Sequence, residues 1–240
     1  MNSHSFLASG NHQNHKYNFV SNSTFYANEQ ERNGNGESVL GDDDLRSCAL
    51  SSAKKGNYTE AIALLTELIH RHPQNSVDYN NRGLIYFQSG EMPKALGDYN
   101  TALQLNPNLA SAYNNRGNYH AAGAEFAAAL SDYDQAIDLN PSYVRARINR
   151  GITLRDLAQY EEAIETFEVA MLFGQLEGHI WAERGRTYHL WGDWNCAIAD
   201  YRRALTHLPG LDRQSNMSMS GYRLHLQLEN WLNELLLPDY

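Results

Sequence analysis

Tyr79-Asn80-Asn81-Arg82-Gly83 reads poorly as the middle of a packed helix, because it sets two amides, a charge and a glycine in succession. Yet the same five residues return at Tyr113 to Gly117. Asn149-Arg150-Gly151 and Glu183-Arg184-Gly185 continue the series. The glycines at 83, 117, 151 and 185 stand 34 residues apart, and one further step back reaches Ala49. Ala61, Ala95, Ala129, Ala163 and Ala197 keep the same step, as do Leu68, Ala102, Ala136, Ala170 and Ala204, while Pro73, Pro107, Pro141 and Pro209 mark the ends of units. An uninterrupted period of this length is the mark of stacked repeats, each burying its apolar face against the next. The register defines five units: 42–75, 76–109, 110–143, 144–177 and 178–211.

Within a unit, the small residue after the arginine lets a first helix approach its neighbour, and the recurring alanines do the same on a second helix. Tyr99, Tyr133, Phe167 and Tyr201 fill the space between. Gly56, Gly90 and Gly192 fall in the turn joining the two helices, where left-handed backbone is easiest for glycine; Ala124 and Ala158 stand there in the middle units. This pattern resembles the tetratricopeptide repeat family. The resemblance implies an all-α, right-handed α-solenoid of antiparallel helix pairs. The first unit has Leu45 and Ser52 where later units have aromatics, so it reads as a polar-faced cap. In the fourth, Phe173-Gly174-Gln175 replaces the usual Asn-Pro close, a candidate hinge. Residues 212–240 read as a linker and a capping helix, with Leu224, Leu228, Trp231, Leu232 and Leu235 at three- and four-residue spacing before Pro238. Residues 1–41, rich in Asn, Ser and His, read as a flexible tail.

The formal net charge is −9 at pH 7. That balance lacks the excess of Lys and Arg that phosphate neutralisation needs, so nucleic acid is not an expected partner. No run of eighteen apolar residues occurs and no basic region leads into a signal-length apolar stretch, so no membrane span is expected and a cytoplasmic location is. Cys48 and Cys196 lie in the first and last units, too far apart to bridge, and read as packed thiols.

Arg82, Arg116, Arg150 and Arg184 occupy a place that is commonly Leu in the family and that faces the second helix, where an unpaired charge is costly. Sixteen residues on lie Asp98, Asp132, Thr166 and Asp200; in the first unit both places are uncharged, Cys48 and Leu64. Charge appears and disappears together, so Arg82–Asp98, Arg116–Asp132 and Arg184–Asp200 are expected to pair, with Arg150 reaching a carboxylate in an adjacent unit.

The preceding asparagines have a different expected role. Asn81, Asn115 and Asn149, with Asn80, Asn114 and Asn118 beside them, are placed on the concave face, where amides can hold the backbone of an extended ligand whatever its side chains. This resembles the asparagine ladder in the superhelix of O-linked GlcNAc transferase, without a transferase domain. The carboxylate clamp by which some family members hold chaperone tails is incomplete: from the second unit Asn115 and Arg145 match, but Asn80, Leu84 and Asn149 do not. From the third, Glu183 stands where Arg is needed.

Arg46, Lys54, Arg145, Arg155 and Arg186 oppose Asp43, Asp156 and Glu183 along the expected groove, a slight basic excess, with Phe87 and Ile152 as apolar footing. No phosphate loop, dinucleotide fingerprint, nucleophile elbow or metal-ligand cluster occurs. His179 and Glu183 share a helix face without the second His a metalloprotease needs, and His12 and His15 fall in the tail. No catalytic residue, metal or cofactor is expected. The sequence reads as a non-catalytic adaptor or scaffold that binds an extended or helical, mildly acidic peptide segment of a protein partner. The alternatives are a scaffold that self-associates through its last helix, with Trp231 the residue to change, and an assembly factor for a large complex, photosynthetic complexes included. The oligomeric state is left open.

Overall fold

The computed structural model describes residues 41–208 and 219–236, without side chains for 219 and 220. The tail with His12 and His15, Pro209, most of the linker and Pro238 lie outside the described residues. Ten helices form five consecutive hairpins: α1 (Asp42–Lys54) with α2 (Tyr58–Arg71), α3 (Ser76–Ser89) with α4 (Met92–Leu105), α5 (Ala110–Ala122) with α6 (Phe126–Leu139), α7 (Val144–Asp156) with α8 (Tyr160–Met171), and α9 (Glu177–Trp191) with α10 (Trp194–His207). An eleventh, α11 (Met219–Leu236), packs on α10. Each hairpin packs on the next, making an α-solenoid whose concave wall is formed by the odd-numbered helices. No strand occurs among the described residues.

Local chemistry sets the helix ends. Gly56, Gly90 and Gly192 turn the chain at φ +83°, +84° and +93°, and Ala124 and Ala158 are held in the same left-handed region at φ +57° and +60°. The Asn-Pro closes work as side-chain turns: Asn106 Oδ1 accepts from the amide of Asn108 at 3.0 Å, and Asn140 Oδ1 from that of Ser142 at 3.1 Å, with the proline between them. Where this close is missing after α8, Gly174 and Leu176 turn the chain at φ +60° and +56°. Phe173 and Leu176 there pack against the cluster of Val144, Ile148, Phe167 and Ile180, so apolar packing continues across the junction.

The Arg-Gly dipeptide answers to a dipeptide sixteen residues later. While the arginine meets the residue at its own +16, the glycine meets the aromatic ring that follows it. A Cβ at Gly83 would lie 2.8 Å from Tyr99 Cε1, at Gly117 2.6 Å from Tyr133 Cε1, at Gly151 2.7 Å from Phe167 Cε1, and at Gly185 2.8 Å from Tyr201 Cδ1. These rings are buried, and their contact with the helix backbone leaves no room for a methyl group. The first hairpin has the matched exchange, Ala49 opposite Leu65, both buried in one cluster with Leu45, Ala61 and Leu68.

At the other end α11 lays Leu224, Leu228, Trp231, Leu232 and Leu235 on Ala182, Ala197, Tyr201 and Ala204, and Trp231 stacks on Tyr201 with ring centres 5.6 Å apart. The free cysteines differ from expectation. Cys48 is exposed and Cys196 half-buried. Cys48 holds the arginine's place in the first hairpin, on which no other hairpin stacks from the N-terminal side among the described residues.

Candidate functional site: the concave wall

Each repeated arginine is a staple between two second helices. Arg82 forks onto Asp98 through Nε and Nη2, both at 2.8 Å, and its Nη1 donates backwards to Thr66 Oγ1 at 3.1 Å. Arg116 forks onto Asp132 at 2.9 and 2.8 Å and reaches back to Asn100 Oδ1 at 2.9 Å. Arg184 forks onto Asp200 at 2.7 and 3.0 Å and reaches back to Glu168 at 3.1 Å. Arg150 donates to Asp134 of the preceding hairpin at 2.7 Å and to Thr166 at 2.8 Å. The carboxylates of Asp98, Asp132 and Asp200 are buried, and aromatic rings flank the guanidinium groups, as Trp181 does 4.8 Å from Arg184. Asp134 is the adjacent-unit carboxylate expected for Arg150, whereas the backward partners of the other arginines, Thr66, Asn100 and Glu168, were not anticipated, although each carries an acceptor oxygen sixteen residues before its arginine.

On the concave side the asparagines chiefly serve one another. Asn115 Nδ2 donates to Asn80 Oδ1 and Asn149 Nδ2 to Asn114 Oδ1, both at 3.0 Å, while Asn114 Nδ2 donates to Asn115 Oδ1 at 3.3 Å. The first two bonds cross from α5 to α3 and from α7 to α5, and the third joins them within α5. Asn80, Asn114 and Asn118 are buried, so their placement as open groove ligands is corrected: the first two lie in the seam between adjacent first helices, and Asn118 accepts from the Tyr133 hydroxyl at 2.8 Å. Asn115 and Asn149 are half-buried and committed to the seam, so replacing either would cost the stack a hydrogen bond. Asn81 is half-buried without such a bond, because Arg46 stands where an acceptor would be needed.

The expected cations differ sharply in their surroundings. Arg46 forks onto the fully buried Asp78 at 2.8 and 3.0 Å and meets Asp43 at 3.2 Å. Arg155 donates to Glu183 at 2.6 Å with Asp156 at 3.6 Å. Arg186 lies over the Trp231 ring at 4.7 Å and donates to His189 Nδ1 at 3.3 Å. Burial, then Arg186, holds the His189 imidazole below its usual pKa, which keeps Nδ1 an acceptor for Arg186 and for the Tyr201 hydroxyl at 3.1 Å. Lys54 is exposed in the last turn of α1. Arg145 is half-buried and has no carboxylate partner among the described residues; burial pushes its pKa down, with Tyr143 opposing. His179 is pushed down by burial and by Arg145, against Glu183. Phe87 and Ile152 are half-buried, and Ile152 packs against the Val144 cluster.

Among the described residues no group of three or more His, Cys, Asp or Glu is placed to hold a metal ion, and no helix is long and apolar enough to cross a membrane. Outside the groove, Leu190, Trp191 and Trp194 are exposed at the α9–α10 turn, with the Tyr160 ring 6.4 Å from that of Trp191.

Comparison with known proteins agrees with this architecture. Residues 49–75 and 105–171 match family models described as tetratricopeptide repeat, and residues 83–123 match one described as TPR repeat. No curated protein matches the sequence. Among solved structures, the chain is similar to a TPR protein of Thermus thermophilus, with a TM-score of 0.68 at 18% identity, covering 80% of this chain and 99% of that one. A tetratricopeptide repeat protein of Parabacteroides merdae superposes with a TM-score of 0.63 at 24% identity, covering 82% and 75%. PilF of Pseudomonas aeruginosa does so with 0.63 at 16% identity, covering 81% and 88%. At these identities the likeness is one of fold.

Proposed function

Given that this chain belongs to the tetratricopeptide repeat family, a family of protein-interaction modules that are generally non-catalytic, we propose that it is an adaptor whose concave wall holds an extended segment of a protein partner. One observation carries the reading. The first helices α3, α5, α7 and α9 stand in direct contact, so the wall is unbroken across four hairpins while Asn81, Phe87, Arg145 and Arg155 remain half-buried rather than covered. A wall of fixed polar groups with apolar footing suits an extended chain, whose backbone needs regularly spaced partners and whose side chains need little room. The spent amides of the α3–α7 seam leave Asn81 and the charged groups at the two ends as the polar contacts on offer. The mild acidity expected of the partner follows from the cations of this wall in a chain of net charge −9.

Site-specific photo-crosslinking tests the reading. Benzoylphenylalanine replaces Phe87 on the concave wall, or Leu172, 83% exposed beyond α8, in the full chain expressed in its host. The groove position is expected to capture a protein partner and the outer position not to. Adducts from the outer position alone would remove the groove from the function. An adduct of twice the chain's mass would favour self-association.

A further inference from the structure

We propose that Trp191, Asp193 and Trp194, at the α9–α10 turn, form a cation subsite that receives an arginine side chain from a basic segment of a protein partner. This contact lies outside the groove and is independent of the groove reading.

The inference comes from accounting for the chain's four tryptophans. Trp181 carries the guanidinium groups of Arg184 and Arg203, each 4.8 Å from the ring centre, and Trp231 carries that of Arg186 at 4.7 Å. No cation of the described residues lies over Trp191 or Trp194, which are 45% and 61% exposed. The place of Trp194 in the repeat explains its exposure. Tyr58, Met92, Phe126 and Tyr160 hold the same place in the first four units and are half-buried, Tyr160 with its ring 6.4 Å from that of Trp191 in the next hairpin. No hairpin follows the fifth among the described residues, and α11 packs on Ala182, Ala197, Tyr201 and Ala204 without covering Trp194.

Trp191, Gly192, Asp193, Trp194 and Asn195 line an open recess of about 500 Å³. Asp193 caps α10, its carboxylate accepting from the Cys196 amide at 3.1 Å, so a negative charge is fixed beside the two indoles. The surrounding charge selects the sign of the ligand. Residues 155–162 and 189–196, which form the last two turns, carry Asp156, Glu161, Glu162 and Asp193 against one Lys or Arg, Arg155, which is paired with Glu183. Carboxylates and open indole faces both attract a cation, and the same carboxylates repel the phosphates of nucleic acid or of an anionic membrane. A guanidinium stacks on an indole and forks onto a carboxylate at once, which an ammonium does not, so arginine is the better fit. Arg184 already shows the combination within the fifth hairpin, lying over Trp181 while forked onto Asp200. Leu190, exposed beside Trp191, offers apolar footing to the rest of the segment.

The test uses the folded full chain labelled with 15N and reads the four indole Nε1–H resonances. N-acetyl-arginine amide is titrated against N-acetyl-citrulline amide, its neutral isostere, at matched ionic strength. The arginine probe is expected to shift Trp191 and Trp194 saturably and to leave Trp181 and Trp231 in place, and the citrulline probe to shift none of them. Asp193→Asn, which keeps an acceptor at the cap of α10, should weaken the response about threefold. Trp194→Leu, at an exposed position, should abolish the shift of Trp191 while the rest of the spectrum stays folded. Capped nonapeptides, randomised except for a central Arg or citrulline, should bind about fivefold tighter with Arg, a preference lost in Trp194→Leu. Equal responses to arginine and citrulline would overturn the subsite. Shifts produced by phosphatidylcholine vesicles and not by the arginine probe would overturn it in favour of a membrane contact. Shifts that grow with protein concentration alone, without response to arginine, would overturn it in favour of a second copy of the chain.

Discussion

Tyr99 and Tyr133 occupy the same place in successive hairpins, press on equivalent glycines and are equally buried, yet their hydroxyls fare differently. The Tyr133 hydroxyl donates to Asn118 at 2.8 Å; that of Tyr99 is buried without a hydrogen-bond partner, because Leu84 holds the place of Asn118. Removing the two hydroxyls should therefore have opposite signs. Tyr133→Phe strips Asn118 of its one hydrogen bond, its Nδ2 having none, and leaves a buried amide unsatisfied. The loss is about 1–3 kcal/mol. Tyr99→Phe removes an oxygen whose desolvation nothing repays, so the change should be neutral or stabilising by up to about 1 kcal/mol. For a chain of this size the midpoint moves roughly 2–4 °C per kcal/mol, so calorimetry should show Tyr133→Phe lower by about 2–12 °C and Tyr99→Phe unchanged or slightly higher. Equal falls in both variants would refute the claim that the hydroxyl's partner, rather than the ring's packing, separates the two positions. The fourth hairpin already has the apolar solution, Phe167 with Ile152 in the place of Asn118.

Asp132→Ala should destabilise by about 3 kcal/mol in chemical denaturation, because it leaves Arg116 facing an apolar interior. Arg116→Leu combined with Asp132→Leu, the first hairpin's solution in kind, should recover most of that loss. Gly117→Ala should cost about 1–3 kcal/mol through its clash with the Tyr133 ring, and much less when Tyr133 is also Leu, as Ala49 and Leu65 coexist. Ala124→Gly and Ala158→Gly should each stabilise by about 0.5–1 kcal/mol in thermal melts, since relief of left-handed strain outweighs the extra freedom glycine brings to the unfolded chain.

The repeat was legible because packing repeats with it: a glycine every 34 residues needs a reason, and the ring sixteen residues later supplies it. The forward arginine partners were legible through their joint loss in the first unit. A carboxylate in the adjacent unit was expected for Arg150 alone, and Asp134 supplies it; the other backward partners were hidden because Thr66, Asn100 and Glu168 share no residue type, only an acceptor oxygen. The asparagines were misplaced for another reason. Helix periodicity assigns a face, but how much of that face the next hairpin covers depends on how closely the first helices approach. That approach is set between hairpins, apart from the glycine–ring contacts within each one, and it leaves residues 80 and 114 inside the seam with 81, 115 and 149 at its lip.

The same seam accounts for where the groove's charges stand. A ladder bond forms when the amide one place before an arginine donates to the residue two places before the arginine of the preceding hairpin, as Asn115 does to Asn80 and Asn149 to Asn114. Towards the N-terminus Asn81 faces Arg46, which has no acceptor, so Arg46 turns to Asp78. Towards the C-terminus the register sets a carboxylate, Glu183, rather than an amide, against the apolar Ile148, and Glu183 pairs with Arg155. The ladder is thus confined to α3, α5 and α7, and ion pairs replace it at both ends. At the C-terminal end that exchange pairs Glu183 with Arg155, as Arg46 pairs with Asp78 at the other end, so each end of the ladder is closed by a charge pair that the chain completes for itself.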